Sequence, residues 1–412
     1  MRAQPDHGRP EAGRPSQERG SDAGTGTLDL ARVPEVFAES VDATVGIEEE
    51  FGILDPGTLD LAPRFEELRD AALASDPLLG ESIAGELISS EIEIRSGRGD
   101  DLRDAIARQR EVRTRLFALT ARQRASLGAS GTHPWADYRR QPNIDTEHYR
   151  RVVEGLQYVA RRNNTFSLHV HVGVRDIERA VRACDRLRPV LPLLLAVSAS
   201  SPFLEGRDTG LHSARTQTFT RSFPRCGIPD AYGSWAAYRD YVEFLVRTKS
   251  IVEYTQVWWS IRPHFAFGTV EVRICDVQTT AAESEGLAGL LVACVLQAAR
   301  DHDEGQPFRD PEPRLVEENL CRAIRYGRDG RLIDLDTAAE FPAASVVERL
   351  AAWTEPIRAE HGIEINLPER NGAQRQRDLL QESGDLREAY ALTVAATQDS
   401  YAHSDPQEVP AP

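Results

Sequence analysis

The chain has 412 residues, 41% hydrophobic and 28% charged, enough for a soluble protein with a sizeable core in one large domain or two smaller ones. Its net charge of −16 argues against nucleic-acid binding driven by phosphate neutralisation and against a polybasic membrane surface. All but one of the 49 basic residues are arginine, Lys249 being the exception. No Gly-Lys-Ser/Thr exists, so a lysine-dependent P-loop is excluded, and any nucleotide must be neutralised by arginine and metal.

Residues 1–30 are rich in Gly, Pro, Arg, Ser and Asp, which predicts a disordered tail and no signal peptide. A single catalytic domain is expected over 42–398, followed by a second disordered tail over 399–412. The first strand, 44–54, sets Glu48 and Glu50 in an apolar frame of Val45, Ile47, Phe51 and Ile53. A second, 86–96, carries Glu86, Glu91 and Glu93. Asp100 and Asp101 cap a helix over 100–124, whose Leu102, Ile106, Val112, Leu116 and Leu119 recur at helical period. A strand over 126–131 leads into the turn Ser130-Gly-Thr-His-Pro134, which makes His133 a candidate substrate contact.

A helix over 145–162 precedes the strand 165–174, which places His169 and His171 on one face. Next comes a helix over 176–200. The apolar run from Val190 to Phe203 contains Pro192 and Pro202, is too short to span a bilayer, and reads as buried helix. A helix over 235–247 is followed by strands 255–262 and 267–275, a hairpin in outline, the second with Glu271 beside Arg273. Helices over 281–301, 313–326, 342–360 and 371–398 complete the chain, the last broken near Gly384. Cys184, Cys226, Cys275, Cys294 and Cys321 are scattered without metal-ligand spacing, so a reduced cytoplasmic compartment is expected.

Four strands thus concentrate acids, histidines and an arginine on one face, with Val, Ile and Leu on the other. Such a face repels itself unless cations neutralise it, which points to Mg²⁺ or Mn²⁺ and a phosphorylated ligand. Glu48, Glu50, Glu86, Glu93, Glu271 and His169 are the candidate metal ligands. Glu86 and Glu93 have opposite parity, so a bend must lie between them; Glu91 shares the parity of Glu93. His169 and His171 remain open to three readings: a satisfied core pair, ligands of a transition metal with Glu271, or one metal ligand and one phosphate donor. Arg273 could stabilise a transferring phosphoryl group, and Arg262 or Arg221 could clamp a carboxylate.

The segments Gly46-Ile-Glu-Glu-Glu50, Glu86-Leu-Ile-Ser-Ser-Glu-Ile-Glu93, Gly131-Thr-His-Pro134, Leu168-His-Val-His-Val-Gly173, Trp259-Ser-Ile-Arg-Pro263, Gly268-Thr-Val-Glu-Val-Arg-Ile-Cys-Asp276 and Arg322-Ala-Ile-Arg-Tyr-Gly327 resemble, in order, the type 2 glutamate–cysteine ligase family, also described as carboxylate–amine ligases. The resemblance spans about 42–335. It implies an α+β fold shared with glutamine synthetase: a curved antiparallel sheet of about six strands with helices on one face. It also implies ATP and Mg²⁺, transfer of the γ-phosphoryl group to the side-chain carboxylate of glutamate, and attack by the amino group of cysteine. On that reading Arg273, Glu271 and Arg262 are catalytic and His169, His171 and Arg273 meet the nucleotide. The five glutamates and His169 hold metal, and Arg221, Arg262 and His133 meet substrate. Ser260 stands where the family's Trp-Asp-Ile-Arg-Pro pattern has an acid. The alternatives are a ligase joining another acid and amine, or a metal-dependent hydrolase or oxygenase built on His169, His171 and Glu271. The expected partners are small-molecule substrates, with neither nucleic acid nor membrane, and homo-oligomerisation is left open.

Overall fold

The computed structural model describes residues 29–403. Strands β1 (Val45–Leu54), β2 (Ile83–Ala84), β3 (Glu91–Arg95), β4 (Ser126–Gly128), β5 (Ser167–Gly173), β6 (Ile261–His264) and β7 (Thr269–Asp276) form one open antiparallel sheet. Its order is β6-β7-β5-β1-β3-β2, with β4 paired to the far end of β1.

Strand alternation gives the sheet its two faces. Val170 and Val172 of β5 and Val270 and Val272 of β7 enter the larger apolar cluster. They share it with the helices Ile177–Leu187, Leu191–Ser198 and Ala281–Asp303. Phe51, Ile53, Ile92 and Ile94 enter a second cluster with Val112, Leu116 and Leu119 of the helix Leu102–Arg122. The long central helix Ala281–Asp303 starts in a capping box of Thr280 and Glu283, which satisfies its first free N–H groups. It is apolar and long enough to cross a membrane by composition alone, but 89% of its most apolar window is buried in the protein.

Several expected elements differ in extent. Helix 145–162 is interrupted at Gln157, whose φ is 51°, and helix 176–200 is divided before Pro192. Helix 342–360 divides before Pro356, because proline fits a first turn and removes a donor from an interior one. Gly384 breaks the last helix as expected, with φ 70°. The strand expected over 255–262 is a turn at Tyr254–Gln256 and a two-residue strand, Trp258–Trp259, ahead of β6. Helices Val33–Ala38, Phe65–Ser75 and Pro77–Ser82 and the hairpin Arg331–Asp334/Ala339–Pro342 were not expected.

Both ends of the domain need correction. The fold begins before residue 42, since Val33 and Phe37 lie in the core. The expected tail at 1–30 falls almost wholly outside the described residues. At the other end the helix Leu386–Ala402 runs past Asp399. Tyr401 is fully buried, stacks on Phe117 at 5.5 Å and donates to the Gln278 carbonyl at 2.9 Å.

Candidate active site

The sheet register assembles the polar face. Across β1 and β5, Glu48 stands opposite His169; across β1 and β3, Glu50 stands opposite Glu93. Across β7, Glu271 is paired with His171 on one side and Arg262 on the other. Directly opposed side chains on one sheet face are near neighbours, so five strands deliver one continuous polar surface. A bulge between Val272 and Cys275 adds a residue to β7 next to Arg273.

Glu50, Glu91, Glu93 and Glu271 are buried, and Glu48 and Glu86 are half-buried. Glu50 accepts from the backbone N–H and hydroxyl of Ser167, and that hydroxyl lies 2.7 Å from His169 Nε2. His169 Nδ1 is 3.2 Å from Glu48, and His171 Nε2 is 3.4 Å from the same carboxylate. The chain turns between Glu86 and β3, which resolves their opposite parity and sets Glu86 beside Glu93. Burial, then repulsion from Glu50, lifts the Glu86 carboxyl to about 7. The same two causes raise Glu91 well above the carboxylate range; burial and the charge of Glu48 do so for Glu93. For Glu48, burial works upward but the two histidines outweigh it, and its carboxyl is held well below the usual range. His169 is lowered by burial and the charge of Arg273, whereas for His171 the carboxylates of Glu48 and Glu271 overcome burial and raise it.

This electrostatic pattern fits a cation. Glu91 Oε2 is buried without a hydrogen-bond partner, and its carboxyl and those of Glu86 and Glu93 are driven toward protonation in the absence of positive charge. Among the described residues, two triads bring ligand atoms within 4.8 Å of one another: Glu50, Glu93 and His169, and Glu48, His169 and Glu271. His169 is common to both. His171 belongs to neither, so the two-histidine centre with Glu271 is not assembled.

The basic side is more constrained than expected. Arg262 donates to Glu271 at 2.7 Å and to the carbonyls of Thr255 and Val257, so its guanidinium is already occupied. Arg273 also pairs with Glu271 and keeps a buried Nε without a partner. Burial works to raise the Glu271 carboxyl, but the two arginines hold it well below its ordinary range. Arg221 is not in the site: it is exposed and paired with Glu317. His133 is also elsewhere, buried with Nε2 2.8 Å from the Leu59 carbonyl and Nδ1 accepting from Trp135 and Ala136. Burial takes its pKa down to about 4, so it is a neutral structural residue.

A cavity of about 220 Å³ opens on this face. Glu50, Glu86, Glu91 and His169 line one side. Arg262, Arg273 and Arg215 line the other, beside Phe219, Phe223 and Trp258. Arg215 was missed from the sequence, where nothing separates it from the other arginines. It is 3% exposed and donates to the backbone carbonyls of Ile274 and Arg273.

Comparison with known proteins settles the lineage. The sequence profile described as glutamate–cysteine ligase family 2 matches residues 44–394. The chain belongs to glutamate–cysteine ligase family 2. Among its relatives in that family is a Rubrobacter xylanophilus protein named "Putative glutamate–cysteine ligase 2-2", 38% identical over 376 residues, covering 89% of this chain and 95% of the relative. Another, from Solibacter usitatus and named "Putative glutamate–cysteine ligase 2", is 36% identical over 362 residues, covering 86% and 93%. A solved Francisella tularensis glutamate–cysteine ligase in complex with AMP has the same fold, with TM-score 0.63, 12% identity and 90% of each chain covered. A bifunctional glutathione synthetase from Pasteurella multocida gives TM-score 0.61 at 12% identity, covering 90% of this chain and 54% of that one. The α+β expectation from the family 2 resemblance therefore holds.

Proposed function

We propose that the protein is an ATP-dependent carboxylate–amine ligase of the glutamate–cysteine ligase type. The γ-phosphoryl group of ATP passes to the side-chain carboxylate of glutamate, releasing ADP. The amino group of cysteine then attacks the acyl phosphate, and phosphate leaves as the amide forms. The observation that carries this reading is the cluster of Glu50, Glu86, Glu91 and His169 facing Arg273 across one cavity. The family names support glutamate and cysteine, and the AMP in the Francisella tularensis enzyme supports a nucleotide.

Glu50, Glu93 and His169 would hold Mg²⁺ or Mn²⁺ with Glu86 and Glu91 beside them, and Glu48, His169 and Glu271 a second ion. The ion supplies neutralisation, so that anionic phosphate and carboxylates can share one hollow. The chain's own residues do the rest. Arg273, fixed by Glu271, presents its charge to the transferring phosphoryl group. Arg262 acts one step removed by locking Glu271. His171, whose Nε2 lies 3.4 Å from Glu48, would donate to a phosphate oxygen. Arg215 and Arg273 carry the positive charge that a substrate carboxylate meets. An in-line transfer needs positioning and neutralisation more than covalent participation, and these groups supply both. The five unpaired cysteines agree with a reduced, cytoplasmic setting.

The test is product analysis. ADP and phosphate should appear only when acid, amine and Mg²⁺ are all present. Release of AMP and pyrophosphate would mean adenylation of the acid and would overturn the acyl-phosphate route.

A further inference from the structure

Three aromatic side chains line the cavity outside the main apolar clusters. Phe219, Phe223 and Trp258 are absent from all three apolar clusters, whereas the next residue, Trp259, packs against the largest. They contact one another instead: Phe219 and Phe223 have centroids 4.6 Å apart, and Phe223 meets Trp258 edge-on at 5.6 Å. Phe223 is 7% exposed, so this is a sheltered recess within the same hollow as Glu50 and Arg273. Rings sheltered outside the core and facing a cavity provide apolar surface for a ligand.

The recess is tied to the reacting end. Phe219 donates its N–H to the Arg215 carbonyl at 2.8 Å, and Arg215 in turn holds the backbone of Arg273 and Ile274. Arg225 lies over the Trp258 ring at 5.8 Å and donates to the Gln256 carbonyl. Nearby polar atoms are already engaged: Gln256 Oε1 accepts from Val252, and the Thr255 carbonyl accepts from Arg262. The recess therefore offers ring surface for an apolar substituent, within a cavity whose lining also includes the polar side chains His148, Tyr149, Asn163 and Thr165. Glu86 and Glu91 line the same hollow, so a ligand whose substituent lies on the rings keeps its polar end in the acid-lined part.

We propose that Phe219, Phe223 and Trp258 form the side-chain subsite for the amine substrate, and that it favours an aromatic or branched aliphatic substituent over the thiol of cysteine. The proposal rests on the ligase reading above and goes beyond it in naming the class of amine. Even one methylene in an apolar pocket changes kcat/KM by roughly 10–200-fold, so the preference is measurable.

The experiment uses the full chain with ATP, Mg²⁺ and glutamate, and reads ADP release against cysteine, leucine and phenylalanine. Leucine or phenylalanine should exceed cysteine by about tenfold or more in kcat/KM. Phe223→Leu and Trp258→Ala should raise the amine KM and flatten that preference, while Trp258→Phe retains it; thermal unfolding checks that each variant folds. A cysteine preference overturns the subsite and leaves the ligase reading standing. Variants that raise the KM for ATP equally with every amine would assign the rings to the nucleotide, which also overturns it. No ADP release with any amine overturns the ligase reading and the subsite together.

Discussion

Arg113→Met would leave a carboxylate stranded behind the active-site strand. Glu49 lies between Glu48 and Glu50 but points to the opposite face, and both Glu49 and Arg113 are 0% exposed in their side chains. Arg113 meets Glu49 through two nitrogens at 2.7 Å each and Glu285 through the third at 2.7 Å. Gln109 and Ser284 also donate to Glu49. Burial works to raise this carboxyl, and Arg113 is the main influence that brings it below its ordinary value. Removing one partner of a fully buried pair costs about 3–5 kcal/mol. At about 1.3 °C per kcal/mol for a chain of this size, Tm should fall by about 4–6 °C. The loss should be largest at neutral pH. A carboxyl lowered in the folded state contributes stability above its unfolded pKa, and that contribution disappears as pH falls through the folded pKa. Glu49→Met combined with Arg113→Met should recover most of the deficit, because no isolated charge remains. Thermal unfolding by circular dichroism across pH reads both effects. A Tm for Arg113→Met within about 2 °C of the parent at pH 7.5, under the same scale, would refute the argument.

Glu50→Gln should cut turnover about 100-fold or more, with little loss of Tm because it removes a charge repelled by Glu86 and Glu91; unchanged turnover would remove it from the site. Glu271→Gln should lose both activity and stability, since Arg262 and Arg273 lose their shared counter-charge, and unaltered Tm would contradict that role. For metal removal the sign is opposite to that at Glu49. Glu86 is raised from an ordinary 4.5 to about 7, so metal-free protein should lose stability as pH rises between those values. Added Mg²⁺ should therefore raise Tm more at pH 7.5 than at pH 5.5, and equal increments would count against cation binding by these acids. Arg221→Ala should leave kcat/KM within about twofold, as befits an exposed ion pair outside the cavity.

Period-two patterning made the polar face legible: Glu48, Glu50, His169, His171, Glu271 and Arg273 all follow simple strand alternation. The same rule hid Glu49, which occupies the face reserved for apolar residues because Arg113 reaches it from a helix distant in sequence. Glu91 shares the parity of Glu93, but alternation does not say whether such an acid meets solvent; the strand buries it against Glu50. Among arginines the sequence offered no discrimination. Arg262 and Arg221 both sit in suggestive motifs, yet one is consumed by Glu271 and the other by Glu317 on the surface. Arg215 owes its place to the short helix Ala214–Thr218, whose path is fixed by tertiary hydrogen bonds that Ser213 donates to Asp276 and the Arg215 N–H donates to Ser201, rather than by any local periodicity. The unexpected helices before residue 85 are short, and their apolar faces become meaningful only against the cores they cover.

Because the imidazoles and carboxylates of the polar face are defined by who faces whom across β1, β5 and β7, these strands have no tolerance for a change in length. Inserting one amino acid ahead of His169 within β5 would turn the ring toward the oily side and bring Leu168 or Val170 up in its place. Natural length variation should therefore gather in connections such as 55–64, where extra links cost little, while the ladder itself behaves as a ruler that cannot be lengthened.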